Sequence, residues 1–445
     1  MHSRTAPSGG RRRLIVSVVG AIAVAVLAVG CSNTDPAVSS SNSPTSASAE
    51  YMAPASDLTA NITYAFWDML QKPAIEANIA GFNKLYPNIK VNLDVTPWEV
   101  YWTKIQTQAS SDTLPDLFWL NGPNFQLYAS NGKVLPITSE IAAGAIDPAN
   151  YPSSVVGIYN LDGVQYGVPK DFDTIGLWYN KAIFEKAGVA VPTNDWTWAD
   201  LSKAANAISS TLSSQGLYGV GGDMTAQVTY YNTIFQAGGN VISADGTKSG
   251  YSDKATQAGL QFWTDLIASG ASPSMQQLSD TAAEKWFTSG KLAMFYGGSW
   301  SRTSIANSEV AGDVNVVALP AGEQEATVIH GVANVVAAKS KNIAAAQALQ
   351  VYLASKEAQQ QQGDLGAVIP AFNGTQQAFA NSYPGVDLQI FLDQTAVAKP
   401  LPISKDTSAW NALEAALLPD AFSGTKPVAE VADDLANQMD AALAK

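Results

Sequence analysis

Aromatic rings set near carboxylates, amides and hydroxyls recur along this chain, and these are the residues best suited to chemistry. Trp67-Asp68, Trp98, Trp119 with Asn121 and Asn124, Asp171-Phe172-Asp173, Ser299-Trp300 and His330-Gly331 are the main groups. A neutral, hydroxyl-rich molecule needs this pairing: flat apolar faces cover its C–H surface, while acceptors and donors take its hydroxyls. With 11 Trp and 16 Tyr in the chain, stacking surface is plentiful. Each candidate also has a plain structural alternative. A tryptophan can be packing, Asp171 a helix cap or part of an ion pair, and His330 a hydrogen-bonded structural residue. Asn121, Asn124 and Asp173 belong to types that favour turns for local reasons. Trp178, Tyr179 and Trp196 read as core.

Covalent and metal chemistry are poorly served. The chain has two histidines, His2 and His330, and one cysteine, Cys31. Once the N-terminus is processed only His330 remains, so neither a multi-histidine zinc site nor a Cys–His nucleophile can be assembled. No Gly-x-Ser-x-Gly elbow, phosphate-binding Walker loop or Gly-x-Gly-x-x-Gly fingerprint is present. The carboxylates would permit glycoside hydrolysis, but no two acids are paired by sequence alone. No metal and no cofactor are expected.

The elements that must position these residues show in the hydrophobic periodicity. Ile62, Tyr64 and Phe66 alternate as a half-buried strand does, and Ile75, Ile79, Phe82 and Tyr86 recur at helical spacing after Pro73. A second strand carries Ile89, Val91, Leu93 and Val95; a helix spans Tyr101 to Ala109, and a short strand spans Asp116 to Leu120. This alternation predicts a mainly parallel, helix-covered sheet, with ligand-binding loops beyond the carboxyl ends of its strands. The loops at Trp67, Pro97 and Trp119 then share one rim. Further on, helices are expected near Trp196 to Asp200 and over Thr281 to Gly290. Strands are expected at Leu292 to Tyr296, Val314 to Leu319 and Val328 to Ala338, and Ser340 is placed to cap a helix over Ile343 to Ala358.

At 445 residues, with 47% hydrophobic and 14% charged positions, the chain should fold into two lobes around full cores. Its formal charge is −13, and the first thirty residues carry four arginines and no acid, so the remainder carries −13 − 4 = −17. That balance excludes nucleic acid as a partner, since its binding rests on clustered Lys and Arg. Arg11-Arg12-Arg13 followed by the apolar run Leu14 to Leu27 reads as a signal peptide over 1–30 rather than a membrane span. Leu27-Ala28-Val29-Gly30-Cys31 resembles a bacterial lipobox, with its Leu one position further from the cysteine than in the commonest pattern. Lipidation of Cys31 is therefore expected, followed by a flexible Ser/Thr/Ala/Pro tether over 31–57.

Eight stretches then carry a family resemblance in order. They begin with Gly81-Phe82-Asn83-Lys84-Leu85-Tyr86-Pro87-Asn88-Ile89-Lys90-Val91, Pro115-Asp116-Leu117-Phe118-Trp119 and Tyr166-Gly167-Val168-Pro169-Lys170-Asp171. Leu177-Trp178-Tyr179-Asn180-Lys181, Phe184-Glu185-Lys186-Ala187-Gly188 and Trp196-Thr197-Trp198 follow. The last are Gly290 to Phe295 with Gly298-Ser299-Trp300, and Gly366-Ala367-Val368-Ile369-Pro370. Together they resemble the carbohydrate-binding, maltose-binding-protein-like group of extracellular solute-binding proteins of ABC importers. The resemblance implies an α/β fold of the periplasmic-binding-protein type, two lobes with a hinge and a central ligand cleft. It divides the chain into 58–168 plus 320–368 for one lobe and 169–319 plus 369–445 for the other.

It further implies a monomer that is not an enzyme, delivers a sugar-like ligand to membrane permease subunits, and sits anchored on the outer face of the cell membrane. The candidate ligand-binding set is Trp67, Asp68, Trp98, Trp119, Asn121, Asn124, Asp171, Asp173, Ser299, Trp300, His330 and Gly331. A glycerophosphodiester or polyol is the alternative ligand, and a phosphate would call on Arg302, Lys170 or Lys405. A secreted glycoside hydrolase and a purely adhesive role are the alternatives in other classes.

Overall fold

The computed structural model describes residues 51–444. The expected signal peptide, the lipidated Cys31 and most of the tether lie outside the described residues. The tether was expected to run through Asp57, but Tyr51 is already held by the folded body. Burial, with the nearby Tyr86 and Glu140, pushes its phenol pKa up to about 12.

The alternation read from the sequence builds the first sheet. Ile62, Tyr64 and Phe66 are buried on β1 (Ala60–Phe66), which pairs in parallel with β2 (Ile89–Val95) and β3 (Leu117–Asn121). Helix α1 (Lys72–Leu85), with a proline in its first turn, buries Ala74, Ile75 and Phe82. Helix α2 (Trp98–Ser110) buries Tyr101, Ile105 and Ala109. It starts three residues earlier than expected, directly after Pro97, so Trp98 stands in a helix's first turn rather than in a loop. Helix α3 (Gly122–Ser130) leaves the end of β3.

Around β4 (Asp171–Asn180), all ten residues of which are buried, a second sheet assembles. One half of β4 pairs with β6 (Leu292–Gly298) and β7 (Val314–Val317), both antiparallel. The other half pairs with β8 (Thr327–His330) and the two-residue β10 (Ile369–Pro370). Strand β5 (Tyr218–Gly221) runs parallel to β6, and β11 (Ala398–Pro400) runs parallel to β8 at the far side. Helix α4 (Trp198–Leu212) opens with a reciprocal capping box between Thr197 and Asp200, the start that Trp196-Thr197-Trp198-Ala199-Asp200 predicts.

The apolar run expected as one strand from Val328 to Ala338 is two strands. It breaks at Gly331: β8 lies in the second sheet, while β9 (Val332–Val336) pairs antiparallel with β3 in the first. The first sheet thus has the order β9-β3-β1-β2. Pro169 makes the matching step, bridging Ala333 of β9 just before β4 begins. Two chain segments therefore exchange sheets side by side. A boundary at 320 is too early, since residues 327–330 pair within the second sheet. Glycine is required at 331 because a Cβ there would lie 2.5 Å from the Asp171 carbonyl oxygen.

Ser340 does not cap the next helix. Its hydroxyl bonds Asp116 at 2.5 Å, and the expected single helix is divided into α6 and α7, counted after α5 (Lys254–Ala268). These are α6 (Ile343–Leu353) and α7 (Lys356–Asp364), the latter capped by Ser355. Among the described residues, no helix is long and apolar enough to cross a membrane.

The C-terminal helices α8 (Thr407–Phe422) and α9 (Val428–Leu443) pack against α5 and complete the second core. A carboxylate is buried there. Glu414 accepts from the Tyr251 hydroxyl at 2.5 Å, the Tyr231 hydroxyl at 2.8 Å and Asn411 Nδ2 at 2.8 Å. Burial outweighs these donors and raises its pKa from 4.5 to about 7. The neutral acid is favoured in the folded state, so this contribution to stability is present below about pH 4.5 and lost as pH rises through about 7. The loss is on the order of 3 kcal/mol. Replacing Glu414 with glutamine should flatten the decline in melting temperature between pH 5 and pH 8. Parallel declines in the wild type and the variant would contradict this assignment.

Candidate functional site

Strand direction fixes where the candidate residues emerge. Strands β1, β2 and β3 are parallel, so Trp67, Thr96 and Gly122 all follow carboxyl ends at one edge of the first sheet. In the second sheet β5 and β6 run parallel, Gly221 pairing with Phe295, so Gly222-Asp223 and Ser299 both follow carboxyl ends on one side of that sheet, with Gly222 against Tyr296. Strand β4 begins at that same edge because it runs antiparallel to β6, and His330 lies opposite Asp173. The two edges touch at the crossover, where the Gly122 N–H of the first donates to His330 Nε2 of the second at 3.0 Å.

At the first edge, Trp67 is the centre of a five-ring cluster. Its centroid lies 4.9 Å from Trp119, 5.2 Å from both Trp98 and Tyr101, and 5.6 Å from Trp102. Exposure grades outward, with Trp119 fully buried, Trp67 partly buried and Trp98 48% exposed. Trp119 therefore has no open face in this conformation, unlike the rim platform expected of it. The Lys170 ammonium stands 4.1 Å from its ring centroid, and its Nε1 donates to the Tyr64 hydroxyl at 2.7 Å. Asp68 caps the short turn Met69–Gln71, accepting from the Leu70 amide at 2.8 Å and Gln71 Nε2 at 3.0 Å. Asn121 caps α3 and accepts from the amide and side chain of Asn124.

The crossover holds the charged residues. Lys170 Nζ bonds Asp171 at 2.5 Å and Gln71 Oε1 at 2.9 Å, and the other Asp171 oxygen accepts from the Val332 amide at 3.0 Å. Both partners are almost wholly buried. Of the alternatives open in the sequence, Asp171 takes that of an ion pair at the exchange between sheets. Asp173 accepts from Gln227 Nε2 at 2.7 Å, while His330 Nδ1 faces it at 3.7 Å, too far for a hydrogen bond. Burial raises the Asp173 pKa, offset in part by the facing His330. Gly331 serves the close approach of the two strands, and its carbonyl accepts from the Tyr159 hydroxyl.

On the second edge Ser299 is buried and Trp300 partly exposed. The Trp300 ring folds back over Gly298, where a Cβ would fall within 2.1 Å of it, and it packs against the second core. The sequence reading missed Asp223, Met224 and Gln227. Asp223 follows β5, accepts from the Ala283 amide at 2.7 Å, and has its pKa raised by burial and, less, by the Glu284 charge. Met224 packs against the second core. Gln227 stands in a π-helical turn, Ala226–Tyr230, a form often found at functional sites. The signal for all three was the run Gly219-Val220-Gly221-Gly222-Asp223, a strand ending on a glycine and an acid.

Of the three cations that a phosphate would call on, Lys405 is exposed and the other two are engaged. Arg302 Nη2 donates to the Ser382 carbonyl, and its guanidinium lies 5.7 Å from the Tyr383 ring centroid. With Lys170 bound to Asp171, the grouped edges present rings, carboxylates and amides. That is a surface for a neutral, polyhydroxylated molecule.

The fold recurs in solved structures. An ABC substrate-binding protein of Listeria monocytogenes, in complex with cycloalternan, aligns with a TM-score of 0.81 and 24% identity, covering 87% of this chain and all of that one. The GacH receptor of Streptomyces glaucescens, solved unliganded and with acarbose, aligns at 0.78 and 22% identity over 87% of this chain and all of the receptor. Both likenesses support the two-lobed periplasmic-binding-protein fold. A putative binding protein of Brucella abortus is 26% identical over 279 residues, 61% of this chain; the match spans 65% of that relative, under two thirds of its length. Residues 67–360 match the family model of the bacterial extracellular solute-binding proteins, and the chain belongs to that family.

Proposed function

We propose that this protein captures a sugar or short oligosaccharide between its two lobes and delivers it to the permease subunits of an ABC importer. One observation carries the reading: two strand-end edges meet at paired crossovers, with Trp67 and Trp98 on one and Trp300 on the other. Closure is a hinge motion at 169–173 and 330–333. Trp67, Trp98 and Trp300 stack on the ligand, while Asp68, Asn124, Asp223 and Gln227 take its hydroxyls. The buried set Trp119, Asp171, Asp173, Ser299, His330 and Gly331 shapes and hinges the cleft. The engagement of Arg302 and Lys170 favours a neutral ligand over a glycerophosphodiester. The complexes of the Listeria and Streptomyces proteins with cycloalternan and acarbose point the same way.

Energetically the site suffices. Micromolar capture needs about 8 kcal/mol. Hydrogen bonds to ionised carboxylates contribute roughly 1.5–3 kcal/mol each and neutral ones about 0.5–1.5, to which ring stacking adds. The role is binding without turnover, by a monomer. Glu284, the acid beside Asp223, is bonded to the Ser301 hydroxyl at 2.6 Å, which suits a structural carboxylate better than a catalytic partner. Cys31 carries the lipid that holds the protein on the outer face of the membrane. Changing Cys31 to serine should move the protein from the membrane fraction to the medium, and undiminished membrane retention would remove the anchor.

A thermal-shift screen of mono-, di- and oligosaccharides alongside glycerophosphodiesters should find a carbohydrate that stabilises the fold by about 2.7 kcal/mol at 100 times its dissociation constant. Incubation with glycosides that bind should release no product. By calorimetry, Trp300→Ala and Trp67→Leu should each weaken binding at least about tenfold, the ~1.4 kcal/mol expected of a lost stacking face. Unchanged affinity in both, with the fold intact, removes these rings from the site.

A further inference from the structure

We propose that Arg302 is a positioning residue, which fixes the Trp300 ring to the point where the chain crosses between lobes for the third time. The inference rests on the reading that Trp300 stacks on a ligand. Arginine is rare in this chain, and after Arg13 the sequence holds no other. It stands two positions beyond Trp300, where the short turn Ser299–Ser301 runs into a helical turn over Arg302–Ala306.

The third crossing follows α7, whose Ala358 is buried in the core of the first sheet. Gln359 and Gln362 of that helix donate to the Pro169 and Lys170 carbonyls. The chain then passes through Gly366 to β10, which pairs with β4 in the second sheet. Gly366 has a φ of +62°, and a Cβ there would stand 2.8 Å from the Arg302 guanidinium carbon and 2.6 Å from the Ser382 hydroxyl oxygen. Glycine alone meets both demands.

Three consecutive residues after Trp300 reach three separate segments. The Ser301 hydroxyl donates to Glu284 at 2.6 Å, and Arg302 Nη2 donates to the Ser382 carbonyl. The Thr303 hydroxyl faces the Gly366 carbonyl oxygen at 3.4 Å. Tyr383, whose ring lies beside the guanidinium, is itself tied to the Ala311 carbonyl at 2.7 Å. Stability is a poor reason for this arrangement. Burial lowers the Arg302 pKa, its Nε–H is enclosed without an acceptor, and its partners are a carbonyl and a ring rather than a carboxylate. Such contacts return only part of the lost hydration, and an apolar chain of like length would pack as well. What that chain lacks is a directed bond to Ser382, and with it a fixed orientation for the turn that carries Trp300.

Fluorine NMR of the full chain grown with 5-fluorotryptophan reads this without a ligand. The chain has 11 tryptophans, and Trp300→Phe identifies the resonance of residue 300. Arg302→Met should shift and broaden that resonance while the others stay in place. Arg302→Lys, whose ammonium can still donate to the Ser382 carbonyl, should restore it. A Trp300 resonance unmoved by methionine overturns the proposal, as does movement of every resonance, which would make Arg302 general packing. Calorimetry with a carbohydrate that binds supplies a second readout. Arg302→Met should weaken binding about threefold or more in the wild type and not at all in the Trp300→Ala background. Equal losses in both contradict the role. If no carbohydrate binds, or Trp300→Ala binds as tightly as the wild type, the ligand reading fails while the fluorine spectrum still judges Arg302.

Discussion

Two strands cannot change sheets side by side unless their backbones come close and their freed polar groups find partners. At the crossover, the Asp171 carboxylate meets that requirement. One oxygen takes the Val332 amide just as the chain enters the first sheet, and the other takes Lys170. The Lys170 amide returns a bond to the Val332 carbonyl at 2.8 Å. The glycine between β8 and β9 lets Asp171 approach. Everything else in the protein is arranged around this knot.

Charges so deeply buried are weak evidence of added stability, because desolvation can exceed the attraction. They are better understood as fixing geometry. Lys170 reaches three structures at once: the Asp171 carboxylate, the Gln71 amide at the end of the Asp68 turn, and the face of Trp119. Through Trp119 it touches the ring cluster that supports Trp67. The first rim is thus tied to the crossover through contacts a few ångströms long. Asp173 and Gln227 do the same for the second rim through the π-helical turn. A ligand touching either rim would press on groups bonded to the crossover. This is the physical route by which occupancy and closure can be coupled.

Much of this was legible in the residues, and the failures have physical causes. Alternation at Ile62-Tyr64-Phe66 and in β2 placed the first strands, since one side of each faces a core. The Thr197–Asp200 cap announced its helix because a capping box is a local device. The break at Gly331 was not visible, because both strands it separates are apolar and buried, and the run reads as one. Trp119 was expected at the rim for a similar reason: strand-end position is local, whereas the lysine that covers it arrives from fifty residues further along the chain. Asp223 was missed because the loop after β5 acquires its place only when β5 pairs with β6, over seventy residues later.

The proposed function requires two lobes that move about the crossover when a sugar enters. Pulsed electron resonance between spin labels at the exposed positions Glu99 and Lys285, in a chain with Cys31 replaced by serine, reads that movement. Saturating carbohydrate should shorten and narrow the distance distribution between the labels. A distribution unchanged by a ligand that demonstrably binds would mean the lobes do not close on it.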